Sequence, residues 1–282
     1  MNIAVASGKG GTGKTTVSTN LSFLLSQLGE KVRYIDCDVE EPNGHLFLNP
    51  EFHKRELAFI PVPVIDELIC DACGVCTEFC NYRALVRLGK TVMVFPELCH
   101  GCGGCKLLCP RQAITEKGKE IGAVEIGRSG SIDFVHGRLN IGEAMSPPLI
   151  RAVQDMATED AINIIDAPPG TTCPVIASIG KADFILLVTE PTPFGLNDLE
   201  IALEMVRELK IPHGVVINRA EVSNRDAEEF CDAHNVKIMG KIQDDRAIAE
   251  NYSRGKMILT SVPEIRENFS ELWQAIKEQI HR

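Results

Sequence analysis

The sequence predicts an α/β fold, a doubly wound and mostly parallel sheet interrupted by a small inserted domain. Three observations carry the expectation. Short apolar runs of strand length alternate with segments of helical periodicity, as in sheets buried on both faces. A glycine-rich loop lies between the first such run and the first helix. The alternation then stops between residues 60 and 118, where eight of the eleven cysteines fall.

Asn2 to Ala6 reads as the first strand. The helix from about Lys14 to Leu28 carries apolar residues at Val17, Leu21, Leu24, Leu25 and Leu28. Val32 to Ile35, Ile162 to Ile165, Phe184 to Val188 and Val215 to Ile217 suit buried parallel strands. Helical patterns at about Pro148 to Met156, Asn197 to Leu209 and Asp226 to His234 alternate with them, so ligands should collect at the strands' carboxyl ends. Gly122 to Gly137 reads as a hairpin turning around Arg128, Ser129 and Gly130.

The interval from 60 to 118 is an internal repeat. Cys70, Cys73, Cys76 and Cys80 recur 29 residues later as Cys99, Cys102, Cys105 and Cys109, and Gly74 and Ala84 recur as Gly103 and Ala113. Two similar halves imply two similar sites. The expected organisation is therefore residues 1–59 and 119–282 as one α/β domain, with 60–118 inserted.

Composition limits the partners. With 282 residues and 44% apolar content the chain can bury a substantial core. Its 39 acidic against 29 basic residues, a net charge of −10, disfavour nucleic acid or anionic lipid as main partner. No run approaches the roughly 20 apolar residues of a membrane span, and no signal peptide is evident, so the expected location is cytoplasmic, without stable membrane insertion. Cytosolic thiols stay reduced, which directs the cysteines towards metal or redox chemistry rather than disulfides.

Gly8-Lys9-Gly10-Gly11-Thr12-Gly13-Lys14-Thr15 satisfies the phosphate-loop pattern after a strand and at the start of a helix. Glycines there let successive N–H groups turn inward around phosphate oxygens, and the helix N-terminus adds positive potential. Lys14 is placed to reach the β- and γ-phosphates, and Thr15, followed by Thr16, to help hold Mg2+. The α/β domain is thus expected to be of the P-loop NTPase type, with ATP or ADP and Mg2+ as cofactors.

Lys9, a second lysine inside the loop, resembles the signature of the deviant Walker-A ATPases, the group of MinD, ParA and the nitrogenase iron protein. The resemblance covers nearly the whole chain outside the insert. It implies slow ATP hydrolysis and a homodimer formed with ATP, in which Lys9 reaches the partner's nucleotide. Asp36-Cys37-Asp38 is similar to switch I, where Asp38 would position the attacking water and, with Thr15, belong to the Mg2+ ligand set, partly through water. Asp166-Ala167-Pro168-Pro169-Gly170-Thr171 is similar to the Walker-B aspartate and switch II: Asp166 would bind Mg2+, partly through water, and Gly170 would offer a mobile backbone donor. Asn218-Arg219, after a buried strand, matches the point where relatives recognise adenine, although Asn is also a common turn residue.

Cys70-x2-Cys73-x2-Cys76-x3-Cys80 and Cys99-x2-Cys102-x2-Cys105-x3-Cys109-Pro110 match the run of bacterial two-cluster ferredoxins twice. Two-residue gaps let one tight loop point three thiolates at three corners of an iron–sulfur cube. In such modules the fourth ligand belongs to the other half. One 4Fe-4S cluster is then expected on Cys70, Cys73, Cys76 and Cys109, and a second on Cys99, Cys102, Cys105 and Cys80, within a small ferredoxin-like α+β insert. Zinc also favours Cys-x2-Cys, but has no use for a three-cysteine loop with a distant Cys-Pro. Asn81, where the pattern has proline, departs from the family without losing a ligand.

Other features read as structural. Cys37 and Cys231 suit small buried hydrophobes. Cys173 lies seven residues after Asp166, as does a cluster-bridging cysteine of the nitrogenase iron protein, but its companion has no counterpart. Ile265, Phe269, Leu272, Trp273, Ile276 and Ile280, in the stretch from Glu264, share one helical face that suits docking on the protein's own core. The histidines form no metal-binding spacing, and His100 reads as a solvated loop residue.

The nearest resemblance is to MinD-superfamily ATPases with an inserted ferredoxin domain. It implies ATP binding, slow and partner-stimulated hydrolysis and ATP-dependent dimer contact. The leading reading built on it is that nucleotide state repositions the insert so that an electron passes to or from a client protein. The rival readings are an ATP-gated carrier or scaffold for metallocofactor assembly and a MinD- or ParA-like positioning ATPase.

Overall fold

The structure is a computed structural model that describes residues 1–221, 225–262 and 265–280. The chain folds into two compact units: Met1–Arg55, Val124–Arg138 and Ile150–Arg282 form the first, and Glu56–Ala123 with Leu139–Leu149 the second.

The first unit opens with β1 (Asn2–Ala6), α1 (Lys14–Gln27), β2 (Val32–Asp36) and the short α2 (Gly44–Leu48), which leads into β3 (Glu51–Ile65). In the second unit follow α3 (Val75–Phe79), the hairpin β4 (Leu85–Leu88) and β5 (Thr91–Val94), and α4 (Gly104–Leu107). The chain then runs through β6 (Ile114–Ser129), β7 (Ile132–Leu139) and α5 (Pro147–Gln154). From there it alternates regularly: β8 (Ile162–Asp166), α6 (Cys173–Ile179), β9 (Phe184–Thr189), α7 (Pro193–Glu208), β10 (His213–Ala220), α8 (Asp226–Ala233), β11 (Ile238–Gln243), α9 (Arg246–Ser253) and α10 (Ile265–Ile280).

Nine strands form one sheet in the order β11-β10-β9-β1-β8-β2-β7-β6-β3. Every pair from β11 to β7 is parallel. All five residues of β8 and all six of β9 are buried, which explains why β9 reads as an apolar run and why β8 carries isoleucines on both faces instead of alternating. The fold is thus mixed α/β with a large, mostly parallel sheet, as expected. The hairpin around Gly130 also exists, though β6 starts at Ile114, well before Gly122, and β7 ends at Leu139, just past Gly137.

Ile3, Val5, Tyr34 and Ile164 point to one face of the sheet, where they meet Val17, Leu21, Leu24 and Leu25 of α1. The same core takes Phe269, Leu272, Trp273 and Ile276 of α10, so the C-terminal helix docks on the protein itself. Each such side chain contributes about 1.5–3 kcal/mol on burial, which holds the apolar face firmly inside. Glu264, at which the expected helix begins, lies outside the described residues. No helix among the described residues is long and apolar enough to cross a membrane.

Within the second unit the sequence repeat becomes a backbone repeat. Ala72, Gly74 and Arg83 have positive φ, and so do Gly101, Gly103 and Gln112, each 29 residues on. Asp66 N–H donates to the Ala113 carbonyl, and Phe95 N–H donates to the Ala84 carbonyl, the same bond seen from the other half. Helices α3 and α4 both start from a left-handed glycine, Gly74 or Gly103, which re-aims the chain after the second cysteine.

Candidate functional site

Three strand ends meet where the sheet reverses its winding. In register, Val5 of β1 and Asp36 of β2 both flank Asp166 of β8. Such carboxyl ends at a switch point are where open α/β sheets bind ligands. The loop from Gly8 to Gly13 leaves β1 there, and Gly13, with φ 97°, starts α1.

A cavity of about 370 Å3 opens above this point. Gly10, Gly11, Gly13, Lys14, Thr15 and Thr16 line one side, with Asp38, Asn218 and Arg219. Lys14 is 7% exposed and is the cation that acts electrostatically on both Asp38 and Asp166. Asp166 is 1% exposed; Tyr34 donates its hydroxyl to Oδ2 at 2.8 Å, while Oδ1 is buried with no protein partner. Thr15 is among the neighbours that hold the Asp166 carboxyl down against burial. An orphaned carboxylate oxygen beside a threonine hydroxyl fits a hydrated Mg2+, because a buried acceptor left unpaired is costly.

The electrostatics point the same way. Burial pushes the Asp36 carboxyl well above its ordinary range, helped by Asp166. Burial also raises Asp166, against the opposing pull of Lys14. It raises Asp38 to about 6, again against Lys14. Two of these three carboxyl groups share Lys14 and the third, Asp36, feels charge only from other carboxylates, so the site is short of positive charge. A divalent cation restores it.

Several glycines are required by geometry. A Cβ on Gly8 would lie 2.1 Å from the Asp198 carbonyl oxygen on α7, and one on Gly13 would lie 2.3 Å from the Asn218 Nδ2. Asn218 donates that amide to the Thr12 carbonyl at 2.8 Å, so it braces the loop as well as lining the cavity. Gly170 adopts φ 99°, and its N–H donates to the Ser7 carbonyl at 3.0 Å. Lys9 is half-buried and does not line the cavity; its carbonyl accepts from the Ser7 hydroxyl at 2.6 Å. Arg219 pairs with Glu190 at 3.1 Å.

The far wall was not foreseen. Gln243, Asp244 and Asp245 at the end of β11, with Ile248 and Tyr252 of α9, complete the cavity. The Asp245 side chain caps α9 by accepting from the Ala247 N–H at 2.7 Å. A polar run with an N-cap directly after a strand was the available signal, but Ile238–Gln243 is too polar to read as one of the buried strands.

In the second unit the eight repeated cysteines separate into two groups. Cys70, Cys73, Cys76 and Cys109 line one cavity. Cys80, Cys99, Cys102 and Cys105 line another. The first is nearly filled by its own walls, about 20 Å3 free, and the second opens to about 220 Å3. Burial raises the Cys76, Cys99 and Cys105 thiols, the last to about 11. Neighbouring cysteines of the same group raise each of them further, including Cys109 acting on Cys76 and Cys80 acting on Cys99. Among the described residues no three His, Cys, Asp or Glu side chains converge closely enough to hold a single metal ion. Cys37 and Cys231 are buried, and Cys173 is exposed at the start of α6.

Residues 3–258 match the CobQ/CobB/MinD/ParA nucleotide binding domain. An uncharacterized protein of Methanocaldococcus jannaschii is 34% identical over 92% of this chain and 91% of its own length. An iron-sulfur cluster carrier protein of Aquifex aeolicus is 27% identical over 93% of this chain, which spans 62% of that protein. Among solved structures, the septum site-determining protein MinD of Pyrococcus horikoshii, complexed with Mg-ADP, superposes with a TM-score of 0.62 at 19% identity, covering 98% of this chain and 95% of the other. Loop, strand-end carboxylates and sequence match converge: the chain belongs to the CobQ/CobB/MinD/ParA family of P-loop nucleotide-binding ATPases.

Proposed function

We propose that the protein is an ATP-hydrolysing iron–sulfur protein in which nucleotide state governs a two-cluster module that passes electrons to a client protein. One observation carries the reading. Each of the two cysteine cavities takes three thiols from one half of the repeat and the fourth from the other. Zinc takes four ligands per site and has no use for a three-cysteine loop completed by a distant Cys-Pro.

At the nucleotide, Lys14 would neutralise the β- and γ-phosphates, and Thr15 and Asp166 would hold Mg2+. Asp38 would orient the attacking water, and Lys9 would enter the site of a second copy. The Gly170 N–H, now on the Ser7 carbonyl, would exchange that acceptor for the γ-phosphate. The coupling route is covalent: β2 ends at the Asp36–Asp38 segment, and β3 and β6 continue across Arg55 and Val124 into the second unit.

A second reading, delivery of clusters to an acceptor, is favoured by relatives named iron-sulfur cluster carrier proteins. Anaerobic protein with counted iron separates the two. ATP that changes the rate of cluster reduction at constant iron supports electron transfer; ATP-driven loss of iron to an apo-acceptor overturns it. Lys9→Ala should retain nucleotide binding while losing ATP-dependent dimerisation and turnover, and normal hydrolysis by that variant would sink the role given to Lys9.

A further inference from the structure

The 29-residue offset that relates the two halves of the cysteine unit also relates two side-chain pairs that differ in chemistry. Asp71 follows Cys70, and Arg111 lies two residues beyond Cys109. Arg111 Nε donates to Asp71 Oδ2 at 2.8 Å. The residues at the corresponding positions of the other half are His100, after Cys99, and Tyr82, two beyond Cys80. Their rings stack with centroids 3.3 Å apart and an interplanar angle of 15°.

Each pair therefore bridges the same two pieces of chain. One piece is the loop that carries three cysteines of a cavity, and the other is the segment that carries its fourth. Asp71 and Arg111 line the cavity of Cys70, Cys73, Cys76 and Cys109. Tyr82 and His100 line that of Cys80, Cys99, Cys102 and Cys105. The ion pair is open to solvent, with side chains 60% and 42% exposed. The aromatic pair presents ring faces to each other and needs no charge.

We propose that these pairs are clasps that retain the two clusters independently, one ionic and screened by salt, the other aromatic and indifferent to it. The proposal rests on the two-cluster reading above. A clasp that holds the fourth-ligand segment against the three-cysteine loop keeps the last thiolate near its iron after a bond breaks, so rebinding competes with loss. An exposed ion pair changes such an equilibrium by up to about fivefold and fades at high ionic strength. A stacked aromatic pair changes it by about two- to tenfold and persists. The cluster held by Cys70, Cys73, Cys76 and Cys109 is then the exchangeable one under ionic conditions or beside a partner that offers Arg111 a competing carboxylate. The other is the resident cluster.

Iron loss from the full-length protein, reconstituted anaerobically, reduced with dithionite and mixed with excess bathophenanthroline disulfonate, tests this at low and at about 1 M salt. Two phases of equal amplitude are expected. Salt and Arg111→Gln should each accelerate one phase by about two- to fivefold, with no further effect of salt in the variant. Tyr82→Ala should accelerate only the other phase, by about two- to tenfold at either salt concentration, and Tyr82→Phe should restore it. The salt series on the unmodified protein keeps the proposal open to refutation if a variant folds poorly. A single phase, or equal acceleration of both phases by salt or by either variant, overturns the clasps while leaving the two clusters in place. Failure to take up iron at all overturns the two-cluster reading, and the clasps with it.

Discussion

The nucleotide loop and the cysteine unit are both built from glycine-rich turns, yet they are supported in opposite ways. Lys14 and Asp166 stand on strands and a helix whose apolar side chains are buried to the last percent: Ile3, Val5, Val17, Leu21 and Ile164 are all fully covered. The cysteine unit buries Ala72, Ala84 and Ala113 beside Ile60, Val62, Ile114 and Ile121, while Leu68, Leu107 and Ile141 are almost wholly exposed. Of the 22 exposed large hydrophobic residues described, 15 lie in Glu56–Ala123 and Leu139–Leu149. A unit that leaves so much apolar surface uncovered gains little from its core, and bonds from thiolates to a shared inorganic centre would replace what burial does elsewhere.

The largest test of that contrast is stripping of iron. Ligand-held small domains owe on the order of 10 kcal/mol to their metal, so anaerobic chelation should unfold the second unit and leave the first intact. Hydrogen exchange should rise throughout residues 56–123 while nucleotide affinity and exchange in β8 and β9 stay unchanged. Protection that survives iron removal would mean that the cysteine unit stands on its core after all.

The converse break is Lys14→Ala. Loss of a buried cation from charged hydrogen bonds to phosphate costs about 3 kcal/mol, so nucleotide affinity measured by calorimetry should fall about 100-fold or more. Iron content should not change. A smaller effect is expected for Gly13→Ala, where φ 97° and the Asn218 amide 2.3 Å from a new Cβ oppose the substitution. Strain of this kind costs about 1–3 kcal/mol, read as a lower denaturation midpoint of the nucleotide-binding unit. Asn218→Ala in the same chain should recover part of it.

The smallest effect concerns Asp38. Its carboxyl titrates at about 6 in the folded protein, raised by burial from 3.8. The folded state therefore binds the proton more tightly than the unfolded chain. The stability so gained is complete below about pH 4 and is lost as pH rises through about 6. Without nucleotide and Mg2+, Asp38→Asn should stabilise the protein at pH 8 by about 1–2 kcal/mol, with solvent access already discounted, and by nothing near pH 3.5. An equal gain at both pH values would assign the effect to packing.

The parallel strands were legible because burial on both faces leaves an uninterrupted apolar run, and the phosphate loop because its chemistry demands glycine and lysine at set spacing. β3 was not. Glu51-Phe52-His53-Lys54-Arg55 looks nothing like a buried strand, and Pro61 and Pro63 argue against a central one. It lies at the edge of the sheet, where charged residues and proline are tolerated because one side of the ladder is unpaired. The cysteine spacing carried the expectation of two groups of four with an exchanged fourth member. Its consequence for the neighbouring pairs was hidden, since Asp71 and Arg111 are 40 residues apart and Tyr82 and His100 bear no mutual pattern.

Local chemistry was therefore written along the chain wherever a motif is contiguous. The turn of the loop at Gly13, the reach of Lys14, the repeat of 29 and the apolar strands each depend on residues within a few positions of one another. What depends on distant segments meeting in register had to be seen: Tyr34 on Asp166, Asn218 on Thr12, the polar wall from Gln243 to Tyr252, and the unlike clasps over two like sets of cysteines. Spacing along a chain records which backbone conformations are possible. Packing alone brings together groups that no interval separates by rule, and it is those meetings that set the charge of the nucleotide site and distinguish one cysteine cavity from the other.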